Sequence, residues 1–400
     1  MKKILIVYAT AGEGHKRAAL ALKSAFDARG LTDTEVKVVD SLDYTSRFFK
    51  AAYLSNYLVL VKYLPSIWGL FYYLFDLRRM NGIVRLLRRV VNRIAARRFE
   101  RFVCDYRPDI VLTTHFMANE IISRLKAAGA LNTTLITCVT DTRMHAFWYA
   151  SQIDFFCVGY EATLQDLIGK WRVPAEKVRI TGIPLHQKFY QAATKDEIRR
   201  RHDIRPDLFT ILVTGGGFGV GPITALVRII SGMGLPLQLL VVCGHNGRLL
   251  KEINARAGRD QPLDYARDGS RGGELAEPRP AVIIKAYGFI DFVDELMTVS
   301  DAAITKAGGL ICSEAIAREL PLVIVAPIPG QEGRNCRFLV KEGAAVRLYR
   351  LSHIRRLIEK FYASRGDSPG GMLTAMRDNI RRIKPPDSAQ EITRFALTLR

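Results

Sequence analysis

Four stretches of this 400-residue chain combine residue types that could carry chemistry, and the first is "GEGH", residues 12–15. It follows the strand-like run Lys3-Ile4-Leu5-Ile6-Val7 and stands where a helix should begin. A glycine turn in that position offers an anion free backbone N–H groups and the positive end of a helix. The spacing narrows the options. A phosphate-binding P-loop needs Gly-x-x-x-x-Gly-Lys-Ser/Thr, but Gly14 is followed by His15, Lys16 and Arg17. A dinucleotide fingerprint needs a small residue where Arg17 stands, although Asp40 ends the next strand at a tolerable distance. A third reading makes Gly12 and Gly14 an acceptor loop that lets a substrate approach the backbone, with His15 projecting into a cleft as a base. On this loop alone, a histidine that only caps the helix is an equal alternative.

The other three stretches lie in the second half. "TGGGFGVG" follows the strand Phe209 to Thr214, so Gly215, Gly216 and Gly217 can present several N–H groups to a diphosphate. "TKAGGLICSEA" joins a short strand to Lys306, a glycine turn at Gly308 and Gly309, and a helix carrying Ser313 and Glu314. A carboxylate one turn into such a helix can accept both O–H groups of a ribose diol. "PIPGQE" then ends the next strand with Gln331 and Glu332, groups suited to the hydroxyls of a sugar. No Asp-x-Asp metal pair stands in a comparable setting, so neither a metal nor a cofactor is expected.

These residues need a scaffold. Apolar runs such as Ile110 to Thr114, Leu135 to Val139, Phe155 to Val158, Leu239 to Val242, Ala302 to Ile304 and Leu322 to Val325 alternate with helical segments, the pattern of parallel sheets buried on both faces. The length suggests two α/β domains, and the polar stretch Gln187 to Asp207 reads as a linker with a short helix. Residues 254–280 lack apolar periodicity and read as a surface excursion. Six cysteines without a Cys-x-x-Cys pair, and a strand close to the initiator methionine, lead us to expect a cytosolic protein with reduced thiols.

The net charge of +20, from 59 basic and 39 acidic residues, calls for an acidic partner. Between Phe48 and Phe75 the chain is aromatic and aliphatic, but Lys62 and Pro65 break it short of the roughly 20 residues that a spanning helix needs. Nine arginines follow between Arg78 and Arg101, and Arg85, Arg89, Arg93 and Arg97 repeat along one helical face. With Trp68 they predict an interfacial helix on an anionic membrane, although a core helix with a solvated basic face would share the pattern. No helix-turn-helix, zinc-finger or RNP pattern favours nucleic acid.

Together and in this order, "GEGH", "TGGGFG", "TKAGG…SEA" and "PIPGQE" resemble the diacylglycerol glycosyltransferases: monogalactosyldiacylglycerol synthases and processive diacylglycerol glucosyltransferases, of glycosyltransferase family 28. The resemblance implies a GT-B fold, two Rossmann-like domains whose parallel sheets face an interdomain cleft. It places a lipid-acceptor and membrane-binding domain at 1–190, a UDP-sugar domain at 191–366, and C-terminal helices returning to the first domain at 367–400. It further implies His15 and Asp141 on the acceptor side. On the donor side it implies Gly215 to Gly217, Gly308 and Gly309 around the diphosphate, Phe289 and Ile290 at the uracil, Glu314 at the ribose, and Gln331 and Glu332 at the sugar, with Lys306 also among the donor-binding residues. Where the family has a threonine this chain has Ile311, and Ser313 or a backbone group is the expected stand-in.

The activity so implied is inverting transfer of a hexose from a UDP-sugar to diacylglycerol, without a cofactor, at the cytosolic face of the cell membrane. Transfer of N-acetylglucosamine or another sugar to a different lipid is an alternative within the enzymes. A non-catalytic protein of anionic membranes is an alternative outside them, and a nicotinamide oxidoreductase is disfavoured by Arg17. The sequence does not separate glucose from galactose.

Overall fold

The computed structural model describes residues 1–10, 12–46, 50, 63–76, 97–191, 193–260, 282–366 and 370–399. Its first sheet holds β1 (Lys2–Tyr8), β2 (Thr34–Asp40), β3 (Ile110–Thr113), β4 (Thr134–Cys138), β5 (Phe155–Val158) and β6 (Val178–Ile180), all parallel, in the order β2-β1-β3-β4-β5-β6. The second holds β7 (Phe209–Thr214), β8 (Leu237–Val242), β9 (Ile283–Tyr287), β10 (Ala302–Thr305), β11 (Leu322–Val325) and β12 (Ala345–Leu348), also parallel, in the order β12-β11-β10-β7-β8-β9.

The helices of the first half are α1 (Glu13–Asp27), α2 (Pro65–Phe75), α3 (Arg97–Tyr106), α4 (Phe116–Ala127) and α5 (Glu161–Trp171). Those of the second are α6 (Lys195–His202), α7 (Ile223–Ser231), α8 (Gly247–Asp260), α9 (Val293–Val299), α10 (Gly309–Ala317), α11 (Gln331–Lys341) and α12 (Ile354–Ala363), followed by α13 (Met372–Ile383) and α14 (Ser388–Thr398).

Alternate residues of each central strand enter opposite cores, which is why the strands read as unbroken apolar runs. Ile4 and Ile6 pack with Leu22 and Phe26 of α1, whereas Leu5 and Val7 pack with Phe99 of α3 and Ile121 of α4. Leu212 and Leu240 likewise face Ile316 and Leu339, while Ile211 and Leu239 face Leu226 and Phe361.

Three expectations are refined. The helix within the linker is α6, closed by a reciprocal capping box between Thr194 and Glu197. Of the two C-terminal helices only α14 returns to the first sheet, where Ala389, Ile392 and Ala396 join Ile4 and Leu22; α13 stays with the second, because Leu373 and Met376 are buried in its core. The excursion at 254–280 begins as helix, since α8 runs to Asp260, and residues 261–280 lie outside the described residues.

Pro65, read as a break in the apolar stretch, marks one: Leu64 is non-helical, and Pro65 starts α2 from its first position, where its missing N–H costs nothing. Arg85, Arg89 and Arg93 lie outside the described residues, and Arg97 opens α3 with an exposed side chain. Among the described residues no helix is long and apolar enough to cross a membrane.

Candidate active site

In open parallel sheets a crevice forms where the strand order reverses. Here the reversals fall between β1 and β3 and between β7 and β10. The chain leaving β1 is the loop of Gly12 and Gly14, the chain leaving β7 holds Gly215 to Gly217, and the chain leaving β10 holds Lys306 and Gly308. All three glycine motifs therefore sit at switch points, and the two halves press them together. A Cβ on Gly217 would lie 2.7 Å from Cγ of Glu13, and one on Gly309 would lie 2.0 Å from the backbone oxygen of Thr140. Asn335 closes the same seam: its side-chain oxygen accepts from the backbone N–H of Thr142 at 3.1 Å, and its amide donates to Ala307 O at 3.0 Å.

His15 is half-buried in the first turn of α1. Its Nδ1 lies 2.6 Å from the carbonyl oxygen of Thr114, which lacks a proton, so Nδ1 carries the proton and donates. That tautomer leaves Nε2 with a lone pair. Burial pushes the imidazole down to about 4, opposed by the Thr114 bond, so the ring is neutral at physiological pH. The hydroxyl of Thr114 in turn donates to the backbone oxygen of His15 at 2.8 Å, and His115 meets the ring edge-to-face at 4.6 Å. The helix has no side-chain N-cap, so His15 does not serve as one.

His15 lines a cavity of about 70 Å³ with Trp68, Tyr72, His115, Asp141 and Gln331. Asp141 is buried in its wall with both carboxylate oxygens engaged, one by Trp148 Nε1 at 2.9 Å and the other by the amide of Gln331. Burial raises its pKa and those two bonds lower it. Neither bond involves His15, so Asp141 shapes the cavity and ties it to the second half of the chain. Trp68, expected at a bilayer, also lines this cavity. The buried side of α2 is clamped over the "PGQE" turn: a Cβ on Gly69 would stand 2.5 Å from Pro329, and Gly330 (φ +98°) faces the Tyr72 ring. Tyr72 stacks on His145 at 4.0 Å, and Asp76 at the end of α2 binds Lys170 at 2.5 Å and Arg334 at 2.7 Å. The other face of α2 turns Ile67, Leu70, Phe71 and Leu74 outward.

On the donor side Gly216 (φ +72°) and Gly219 (φ +57°) need glycine for the left-handed turns of their loop. Lys306 reaches beside Gly216 and pairs with Glu332 at 3.4 Å. Glu314 is buried on α10, and desolvation lifts its carboxyl up to about 7 against the Arg17 charge. Phe289 is exposed and stacks with His245 at 4.1 Å, beside the half-buried Ile290.

Three donor expectations meet other partners here. Ser313 points from α10 toward the buried Tyr160 and shares a 3.2 Å hydrogen bond with it, so its hydroxyl is not directed at the glycine loop. Gln331 holds Asp141. Glu332 accepts from the backbone N–H of Ile328 at 3.0 Å and thereby closes its own turn. Tyr72, Thr114 and Asn335 were not legible at the site: Tyr72 and Thr114 come from segments distant from the glycine loops, and Asn335, one turn beyond Gln331 on α11, acts on Thr142 in the other half. Among the described residues, no three His, Cys, Asp or Glu side chains are grouped to hold a metal.

The family of monogalactosyldiacylglycerol (MGDG) synthases matches residues 15–185 of the chain. A processive diacylglycerol beta-glucosyltransferase of Bacillus cereus (strain G9842) is 27% identical over 352 residues, 86% of this chain and 81% of that protein. Among solved structures, Acinetobacter baumannii MurG superimposes with a TM-score of 0.61 at 15% identity, covering 100% of both chains. Staphylococcus aureus MnaA with UDP gives 0.59 at 15% identity over 100% of this chain and 98% of the other. The paired parallel sheets are the GT-B arrangement. The chain thus has a GT-B fold and is similar to the monogalactosyldiacylglycerol synthases over residues 15–185 and to processive diacylglycerol glucosyltransferases over 86% of its length.

Proposed function

We propose that this protein transfers a hexose from a UDP-sugar to the free hydroxyl of diacylglycerol, with inversion, while bound peripherally to the cytosolic face of an anionic membrane. The observation that carries the reading is the neutral His15, its Nδ1 fixed on Thr114 O and its Nε2 left as a proton acceptor, at the cleft where two glycine loops meet. The acceptor hydroxyl approaches through the cavity under α2. Its oxygen attacks the anomeric carbon from the side opposite the diphosphate, its proton passes to Nε2, and UDP departs with the electron pair of the broken C–O bond. Backbone N–H groups of the glycine loop, the N-terminus of α10 and Lys306 hold the charge that develops on the leaving diphosphate. An imidazole near 4 is a weak base, and the anionic donor raises its proton affinity as it arrives. The outward apolar row of α2 supports membrane docking, since it leaves large side chains facing away from the protein beside the acceptor cavity.

His15→Ala tests this assignment. Turnover should fall by about 10² to 10⁴ with UDP affinity and melting temperature near wild type. A variant that melts early and keeps full turnover would make His15 a structural residue.

A further inference from the structure

Arg17 breaks the dinucleotide pattern, and no step of the reaction above uses it. It lies on α1 one turn beyond Glu13, the side chain that Gly217 of the donor loop approaches. From there the guanidinium crosses between the halves. Its Nη1 is 3.8 Å from Oε1 of Glu314, and its central carbon is 5.5 Å from the middle of the Phe289 ring. It thus stands among three groups assigned to three parts of one nucleotide: the glycine loop to diphosphate, Glu314 to ribose and Phe289 to base.

Its hold there is weak. At 3.8 Å the contact is an ion pair without a hydrogen bond, and the Arg17 side chain is 32% exposed against 3% for Glu314. A guanidinium matches phosphate oxygens better than it matches a carboxylate at that separation, because its planar fork can donate two parallel bonds.

We propose that Arg17 is a donor-binding residue that leaves Glu314 for the diphosphate when the nucleotide enters. The ribose hydroxyls take over the carboxylate, and the guanidinium moves along the first turn of α1 to the phosphate oxygens beside Gly217. This rests on the UDP-sugar reading and adds a specificity to it. A nucleoside must displace Arg17 from Glu314 and gives it nothing in return, whereas a nucleoside diphosphate supplies its new partner. Arg17 therefore selects diphosphate over bare nucleoside. If it were only a strut between the halves, its loss would weaken both ligands alike.

Calorimetry with uridine and with UDP on wild type and Arg17→Ala tests the inference. The substitution should raise the UDP dissociation constant about tenfold or more. It should tighten uridine by about two- to fivefold, the strength of a part-exposed ion pair no longer competing. Equal changes for the two ligands, or none, would overturn the inference and leave the donor site standing. A wild-type protein that binds neither ligand would overturn the donor reading, and this inference with it. Should Arg17→Ala fail to fold, Arg17→Lys carries the same test: a lysine lacks the bidentate fork, so UDP should weaken while uridine does not.

Discussion

Gly309→Ala should make the second half of the protein no less stable and its chemistry far slower. Gly309 is the first residue of α10, where Ala is favoured over Gly by up to about 1 kcal/mol, so the helix itself gains. The cost falls on the seam. The new Cβ would lie 2.0 Å from the backbone oxygen of Thr140, and real Cβ contacts essentially never come under 3.0 Å, so the halves must part by about 1 Å. Neither side can yield by rotating a side chain, because one partner is a carbonyl and the other is a helix start. Thr140 also lies 3.3 Å from His15 through its hydroxyl, so the shift carries the proposed base away from the donor loop. A displacement of about 1 Å can cost about 10²-fold in rate. Steady-state turnover beside a thermal melt reads both effects. A Gly309→Ala enzyme with wild-type turnover would refute the idea that this contact sets the spacing of the catalytic groups.

Two further outcomes follow from exposed and buried side chains. Leu70→Glu with Phe71→Glu should leave the melt unchanged, since these residues are 59% and 44% exposed, yet remove about 1 kcal/mol of apolar contact apiece from a bilayer. Sedimentation with anionic vesicles should show at least about tenfold weaker binding, and unchanged binding would detach α2 from the membrane. Glu314 titrates at 4.5 when unfolded and at about 7 in the fold, so between those values the native state holds a proton that the unfolded chain has released. Its contribution to stability is present below pH 4.5 and is lost as pH rises through about 7. Glu314→Gln should remove that slope, worth about 3 kcal/mol across the window, in denaturant melts from pH 4 to 8. Parallel wild-type and variant curves would place Glu314 in a wetter setting than its burial implies.

The legible parts were those in which one stretch contains its own reason. β1, the glycines and His15 read as a strand, a turn and a helix start because the apolar run, the turn residues and the helical segment adjoin. The central strands were plain since both their faces are buried. Of the four edge strands, β2 was read and the other three were harder: "VRI" in β6, "IIKAY" in β9 and "AVRL" in β12 are short and carry a charged residue, so they lack the apolar run of a central strand.

Roles that depend on distant contacts were not legible. Gly309 reads as a phosphate turn, but its missing side chain also admits Thr140 from the other half. Trp68 reads as a membrane residue because the sequence gives its hydrophobicity and not its direction. Only packing shows that α2 turns Trp68 and Tyr72 inward and Leu70 and Phe71 outward. Gln331 and Asp141 were assigned to different ligands, 190 positions apart, and bind each other.

The central claim, sugar transfer to diacylglycerol, is tested most directly by the product. Purified protein incubated with diacylglycerol in anionic vesicles and a panel of UDP-sugars should yield a hexosyl-diacylglycerol by mass spectrometry. NMR of that product should show the β configuration from an α-linked donor, as attack opposite the diphosphate requires. Absence of any glycosylated diacylglycerol from every UDP-sugar, with vesicle binding intact, would contradict the account and leave a membrane-binding protein without this chemistry.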